Sequence, residues 1–306
     1  MAFGAVPSGA LLLMMMMRLI PGAWGDEMRL SVEAATLLTP LAAAAMVPVL
    51  IGMAAVYPWV GDRSPSAFKL LWLSPVPFIT RTLLRFGAQW WLGHRMRARR
   101  GQTVTAGAGV VLMPVLTSLV AVDWLMSLEP DFASSAFGLE FMQREVIIAF
   151  CVLLLLRLGM GREPRRLGVL GGLLLTLLLL SAYFLFLPFF VIWSSNLAPN
   201  VEWYARRWGT GWEAVAWTFG LLAGVPLLAL LLARARKSAS WLKPLSAAVI
   251  LSSLLQLGWT VLPGRGGLAV LAFCASVVGL GLLGVALLPM ALRHRVRARL
   301  PAEARR

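Results

Sequence analysis

The chain has 306 residues, of which 59% are hydrophobic and only 13% are charged. A soluble domain carries about 25% charged residues, so this composition excludes an ordinary soluble globular protein. The net charge of +15 would suggest nucleic-acid binding in a soluble protein. Here the basic residues lie in short segments between apolar blocks, which is typical of loops that set membrane topology and argues against nucleic acid as a partner.

The apolar residues form blocks of roughly 17–25 residues, the length of a helix that crosses a bilayer. Continuous blocks predict helices rather than the alternating strands of a barrel. We predict nine spans, at 3–20, 36–57, 68–92, 104–125, 135–157, 168–193, 212–233, 244–263 and 268–292. A signal peptide is the alternative for the first block. Arg18 follows that block and no basic residue precedes it, which favours a helix with an outer N-terminus.

The basic residues are unevenly divided between the two sides of the predicted helices. Of the 28 Lys and Arg residues, 20 lie in the segments of one side and five in those of the other, while Arg81, Arg85 and Arg144 lie within spans. Cytoplasmic loops carry the excess of Lys and Arg in membrane proteins. The pattern therefore predicts a multi-pass protein in the lipid bilayer of the inner membrane. Its N-terminus is predicted to be periplasmic and its C-terminus cytoplasmic.

The predicted outer segments are rich in aromatic and acidic residues. Segment 193–212 contains Trp193, Trp203, Tyr204, Trp208 and Trp212, and segment 123–135 contains three acidic residues without a base. Aromatic residues at this depth fit the interfacial belt of a membrane protein. A docking surface for an extrinsic partner is the alternative.

Six polar residues within predicted spans are candidates for an intramembrane polar or proton pathway. They are Arg81, Arg85, Glu140, Arg144, Glu145 and Gln256. Charged side chains inside a bilayer usually face the bundle interior and pair. Counted from the predicted span ends, Arg81 and Glu145 both lie near mid-membrane, so we predict that Arg81 pairs with Glu145 or Glu140. Arg85 is expected nearer the cytoplasmic face, where it snorkels. The pair is either a static ionic clasp or part of a proton pathway.

The sequence has no recognisable cofactor motif. His94 and His294 both lie in basic segments, so the spans offer no pair of histidines for a haem. Cys151 and Cys274 lie in apolar blocks without metal, haem or disulfide spacing. We predict that this chain binds no metal and no redox cofactor, and we identify no catalytic residue.

Four groups of residues together resemble one family. They are Tyr57-Pro58-Trp59 with LSPVPFITR at 73–81, DWLMSLEPDFASSAFG at 123–138, YFLFLPFFVIWSSN at 183–196 with Trp203-Tyr204 and Arg206-Arg207, and WTVLP at 259–263. The pattern is similar to the NrfD-related membrane subunits of bacterial alternative complex III, and most of all to its ActF-type subunit. The second group is the most specific. Its motif loop consists of Asp123, Trp124, Ser127, Leu128, Pro130, Phe137 and Gly138.

The resemblance implies an all-α membrane fold with two four-helix bundles, here 36–157 and 168–292, and a peripheral N-terminal span at 3–20. It implies a cofactor-free, non-catalytic subunit of a respiratory complex that oxidises quinol in the bacterial inner membrane. The implied partners are the NrfD-like ActC-type subunit, a multihaem cytochrome c, an iron–sulfur subunit and a terminal oxidase. The haem c groups and iron–sulfur clusters belong to those partners.

Three places depart from the family pattern. Leu187-Pro188 stands where the family has Ser-Gln, Gln256 stands where it has Asp, and Arg165-Arg166-Leu167 replaces an acidic or His-bearing helix start. These changes weaken a proton route and leave a structural role intact. The alternatives are a membrane scaffold or assembly protein derived from the family, and a secondary transporter, although we find no internal repeat of the kind many transporters have.

Overall fold

The structure is a computed structural model that describes residues 2–61, 71–98, 103–129, 132–161, 164–195 and 198–303. Within these ranges every regular element is a helix and none is a strand. The α-helices are α1 (Ala2–Leu19), α2 (Ala23–Ala35), α3 (Thr39–Ala44), α4 (Val47–Ile51), α5 (Met53–Val56), α6 (Pro75–Ala98), α7 (Thr103–Trp124), α8 (Phe137–Leu158), α9 (Leu167–Ser195), α10 (Ala198–Ala205), α11 (Trp212–Leu231), α12 (Ala233–Arg236), α13 (Ala239–Val261) and α14 (Gly266–Glu303). Short 3₁₀ turns cover Thr36–Leu38, Pro58–Gly61 and Met126–Leu128.

Six helical stretches of the described chain are long and apolar enough to cross a membrane. They are Ala23–Ile51, Thr103–Leu128, Leu167–Ser195, Trp212–Leu231, Ala239–Val261 and Gly266–Arg297. The protein is therefore all-helical with the helices of a multi-pass membrane protein. The predicted count of nine spans is not confirmed. The helices α6 and α8 are 24 and 22 residues long but carry several charged side chains, and α1 has a shorter apolar stretch, Phe3–Leu19.

Helix α1 lies at the centre of the helix packing. It runs along α8 and also contacts α2, α6 and α7. The side chains of Ala10, Leu11 and Met15 are fully buried. At Gly9 the two helices are so close that a Cβ atom would lie 2.7 Å from the Cβ of Ala149. We expected a peripheral helix at 3–20, but small residues let α1 approach α8 closely, as at many helix interfaces in membranes.

The predicted span 36–57 is broken into short helices rather than continuous. Pro40 lies in the first turn of α3 and Pro48 in the first turn of α4. Proline lacks the backbone N–H that an uninterrupted helix needs, so each proline begins a new helix. The break leaves the side chains of Thr36 and Thr39 in the interior, where both are almost fully buried.

Helix α8 connects the two halves of the chain. It packs against α1 and α7 on one side and against α9 and α13 on the other. The last helix, α14, packs mainly against α2 and α1, and Phe273 at its start lies against Gly258 of α13. Helices of the two predicted bundles, 36–157 and 168–292, therefore contact each other through α8. The division into two bundles stays a prediction.

The helix ends gather into two poles of the molecule. At one pole, Arg18 donates to the Met96 carbonyl at 3.2 Å, and Arg157 binds Glu27 at 2.7 Å. We call this pole the basic end, because the same helix ends carry most of the described Lys and Arg residues. At the other pole, Tyr57 donates to the Trp124 carbonyl at 3.2 Å. We call that pole the aromatic end.

Candidate functional site

An ion pair joins α6 to α8 in the interior of the protein. Arg85 Nη2 donates to Glu145 Oε2 at 2.9 Å and to Oε1 at 3.0 Å. Arg85 is 0% exposed and Glu145 is 3% exposed. An ionised side chain at such a place costs several kcal/mol unless it is paired and hydrogen-bonded. The two charges therefore depend on each other for their burial.

Three further polar side chains complete what we call the central cluster: Ser8, Thr39, Arg85, Gln89 and Glu145. Arg85 Nη2 also donates to Ser8 Oγ at 3.0 Å, and Arg85 Nη1 donates to Gln89 Oε1. Gln89 Nε2 donates to Thr39 Oγ1 at 3.1 Å. A cavity of about 10 Å³, with room for one water molecule at most, borders Ser8, Arg85 and Glu145. The cluster is thus held by α1, α3, α6 and α8 together.

The predicted pairing of Arg81 with Glu145 or Glu140 is wrong. Arg81 Nε donates to Asp123 Oδ2 at 2.6 Å, and its Nη2 donates to Oδ1 at 2.9 Å. The helix begins at Pro75, so Arg81 lies about 9 Å along it, near the aromatic end, where α7 ends. Arg85, one turn deeper, meets Glu145 instead. For the same reason Arg85 is buried and does not snorkel.

A second cluster lies between α8 and α13. Arg144 Nη2 binds Glu140 Oε1 at 2.5 Å, across one turn of α8. Gln256 Nε2 donates to the same Glu140 oxygen at 3.2 Å. The charges of α8 therefore divide into two groups: Glu145 turns toward α6, whereas Glu140 and Arg144 turn toward α13.

The central cluster continues by hydrogen bonds toward the basic end. Thr39 Oγ1 donates to the Thr36 carbonyl at 3.0 Å, and Thr36 Oγ1 donates to the Glu33 carbonyl at 2.8 Å. Arg97 Nη1 donates to Thr36 Oγ1 at 2.7 Å. These contacts lead from the middle of the protein to the main-chain carbonyl of Glu33, whose side-chain carboxylate is buried near the basic end.

That carboxylate, Glu33, lies among guanidinium groups. It binds Arg295 Nη2 at 2.5 Å and Arg29 Nε at 3.1 Å. We call Arg29, Glu33, Thr36, Arg97 and Arg295 the basal cluster. Two guanidinium groups therefore share this carboxylate, and the third, that of Arg97, binds Thr36 beside them.

The residues of the motif loop lie together at the aromatic end. Trp59 Nε1 donates to Ser127 Oγ at 3.2 Å, and Trp124 Nε1 donates to Thr82 Oγ1 at 3.0 Å. Leu128 and Phe137 are buried among the surrounding aromatic rings. Gly138 lies against α7, where a Cβ atom would be 2.5 Å from Ser118 Cβ. Pro130 lies outside the described residues.

Arg207 connects three segments at the aromatic end and is 1% exposed. Its guanidinium donates to Glu129 Oε1 at 2.6 Å, to the Trp203 carbonyl at 2.7 Å and to the Trp259 carbonyl at 3.2 Å. The guanidinium carbon also lies 3.5 Å from the centre of the Trp203 ring. Burial lowers the pKa of Arg207, and the hydrogen bond and charge of Glu129 oppose that shift.

Sequence reasoning missed several of these residues. Ser8 and Thr39 are ordinary small polar residues, and only the central place of α1 and the broken helix bring them to Arg85. Asp123 and Arg81 both belong to motifs found in the sequence, but they lie in separate segments and were not predicted to pair. The loop at 123–135, which has no base of its own, obtains two from other segments: Arg81 for Asp123 and Arg207 for Glu129.

Comparison of the chain with protein-family models and with curated proteins gave no match. The family resemblance therefore rests on the quoted motifs alone.

Proposed function

We propose that the protein is a cofactor-free structural subunit of a respiratory quinol-oxidising complex of the alternative complex III type. One observation carries this proposal: the separate segments that resemble the ActF-type subunit contact one another. Trp59 binds Ser127, Arg81 binds Asp123, and Arg207 binds both Glu129 and the Trp259 carbonyl. Motifs that are far apart in sequence thus form one surface at the aromatic end.

In this proposal the protein has nine spans in a bacterial inner membrane. Six are the apolar stretches described above, and α1, α6 and α8 are the other three. In the interior, Arg81 of α6 pairs with Asp123 of α7, and Arg85 of α6 pairs with Glu145 of α8. The excess of basic residues places the basic end and the C-terminus in the cytoplasm, and the aromatic end and the N-terminus in the periplasm.

The partners in this proposal hold the redox groups. A multihaem cytochrome c and an iron–sulfur subunit dock at or near the periplasmic side, and an ActC-type subunit and a terminal oxidase lie beside the chain in the membrane. Quinol is oxidised by the complex, and the chain itself binds no metal or haem. The aromatic end, with its exposed Trp193 and Trp208, is the surface we assign to the extrinsic partner.

The interior charges favour a structural role over proton conduction. Arg81, Arg85 and Arg144 each bind one carboxylate, so each buried cation is matched by one anion. Short hydrogen bonds join each carboxylate to its guanidinium, so the two charges of a pair stabilise each other. We therefore propose that these pairs clasp the helices. Proton conduction is the second candidate, because hydrogen bonds lead from Glu145 to the basal cluster.

The test is purification of the tagged protein from its native membrane in a mild detergent, with a haem spectrum and subunit analysis of the eluate. We expect haem c bands and stoichiometric partner subunits. A colourless eluate without partners, from membranes that contain an intact quinol-oxidising complex, refutes the proposal and favours a transporter. An active complex assembled without this chain favours the assembly-protein alternative.

A further inference from the structure

A long apolar cavity of about 600 Å³ lies between α14 and the rest of the protein. Its walls come from α1, α4, α8, α13 and α14. The volume is in the range of ligand pockets, roughly 300–1,000 Å³. Along α14 it extends from Phe273 to Pro289, which is about 24 Å of helix. Exposed lining residues, among them Ser276 and Val285, open it to the surroundings of the protein.

The cavity ends at a basic surface. Its α14 wall contains Phe273, Val277, Gly281, Val285 and Pro289, at a constant spacing of four residues. Residues at this spacing form one row on a helix. The next position in the row is Arg293, which is exposed.

The opposite wall reaches the same surface. Leu38 lines the cavity and belongs to the short turn Thr36–Leu38, which also contributes Thr36 to the basal cluster. That cluster holds three guanidinium groups, those of Arg29, Arg97 and Arg295, beside the single carboxylate of Glu33, so this end of the cavity carries an excess of positive charge. Basic pockets between membrane helices bind anionic lipid head groups.

We propose that this cavity binds one anionic glycerophospholipid, with an acyl chain between α14 and α13 and the phosphate against Arg293. The apolar lining fits a hydrocarbon chain, and the charge at its end fits a phosphate. The length of the cavity matches an extended chain rather than a compact ligand. This inference does not depend on the proposed respiratory role, because it uses neither the contacts between the motif segments nor a partner subunit.

The probes are dioleoylphosphatidylglycerol and dioleoylphosphatidylcholine, added to the delipidated full-length protein and measured by native mass spectrometry. We expect one bound phosphatidylglycerol and about fivefold weaker binding of phosphatidylcholine, since one basic group near a membrane surface contributes about that factor. The Arg293→Ala variant should lose this preference. Equal binding of the two lipids by the natural protein overturns the proposal.

Two glycines of α14 give a matched pair for the site. Gly281 lines the cavity, whereas Gly279 does not, and a Cβ atom at either position would meet no other atom within 4 Å. The Gly281→Leu side chain should fill the cavity and abolish binding of both lipids. The Gly279→Leu variant should bind both lipids as the natural protein does. Unchanged binding in a folded Gly281→Leu variant refutes the site. Recovery of an isoprenoid quinone instead of phospholipid from the untreated protein also refutes it.

Discussion

Arg85 Nη2 donates to both carboxylate oxygens of Glu145, and this ion pair joins α6 to α8 with both side chains almost fully buried. Removing one partner of a buried pair leaves an unpaired charge, which costs about 3–5 kcal/mol. We therefore expect Glu145→Gln to lower the free energy of unfolding in detergent by about that amount.

The double variant Arg85→Met with Glu145→Met separates the two roles of this pair. Replacing both charges by apolar side chains of similar size is often neutral for stability. If the pair is a clasp, the double variant should regain stability and assemble an active complex. A stable, assembled double variant without proton translocation would support the pathway instead.

Arg207 and its neighbour Arg206 offer a comparison at the aromatic end. Lysine at 207 would keep the charge but lose the planar fork that binds three segments, so we expect a loss of about 2–4 kcal/mol in stability. Arg206 has a half-exposed side chain, and its ion pairs are both 3.8 Å long. Arg206→Lys should change stability by less than about 0.5 kcal/mol.

The readout for these two variants is thermal unfolding followed by tryptophan fluorescence. The rings of Trp203 and Trp259 lie next to Arg207 and contribute to this signal, together with the other tryptophans of the chain. Equal effects of the two substitutions would contradict the assigned role of Arg207.

Gly9 tests the central position of α1. An alanine Cβ at this position would overlap the backbone of Glu145 and the side chain of Ala149. We expect Gly9→Ala to destabilise the protein by about 1–3 kcal/mol, as overpacking does. Gly87→Ala is the control, because a Cβ there meets no atom within 4 Å. A tolerated Gly9→Ala would mean that α1 does not lie against α8.

Two adjacent glycines of α9 test the contact between that helix and α12. At Gly171 a Cβ would lie 2.5 Å from the Arg236 carbonyl oxygen, whereas at Gly172 it meets nothing within 4 Å. We expect Gly171→Ala to lower the unfolding temperature. Gly172→Ala should leave it unchanged or raise it, since alanine favours a helix by about 0.5–1 kcal/mol over glycine. A reversed order would exclude this contact.

The all-helical fold could be predicted from composition and block length, because a chain that crosses a bilayer needs long apolar helices. The ion pairs of Arg81 and Arg85 in α6 could not be predicted from block length alone. The apolar block at 68–92 begins before the helix, so a depth counted from the start of the block is too large. A local signal was present: Ser74-Pro75 has the form of a helix start, with proline in the first turn. Counting depth from Pro75 would have placed Arg81 near the surface and Arg85 in the interior.

The position of α1 was harder to derive. The sequence has small residues four apart, Gly4 with Ser8 and Ala5 with Gly9, which is the pattern of close helix interfaces. Such a pattern shows that a helix has a partner but does not identify it. The partner, α8, lies more than a hundred residues later, so only the tertiary structure reveals the contact.

The sequence separation within the central cluster has a consequence for biosynthesis. Arg85 and Glu145 are 60 residues apart, and Ser8 lies 77 residues before Arg85. At a translation rate of about 5–20 residues per second, Arg85 leaves the ribosome several seconds before its carboxylate exists. During that interval the guanidinium has no ionic partner from α8. We therefore expect the first half of the protein to become stable in lipid only after Glu145 of α8 has been synthesised.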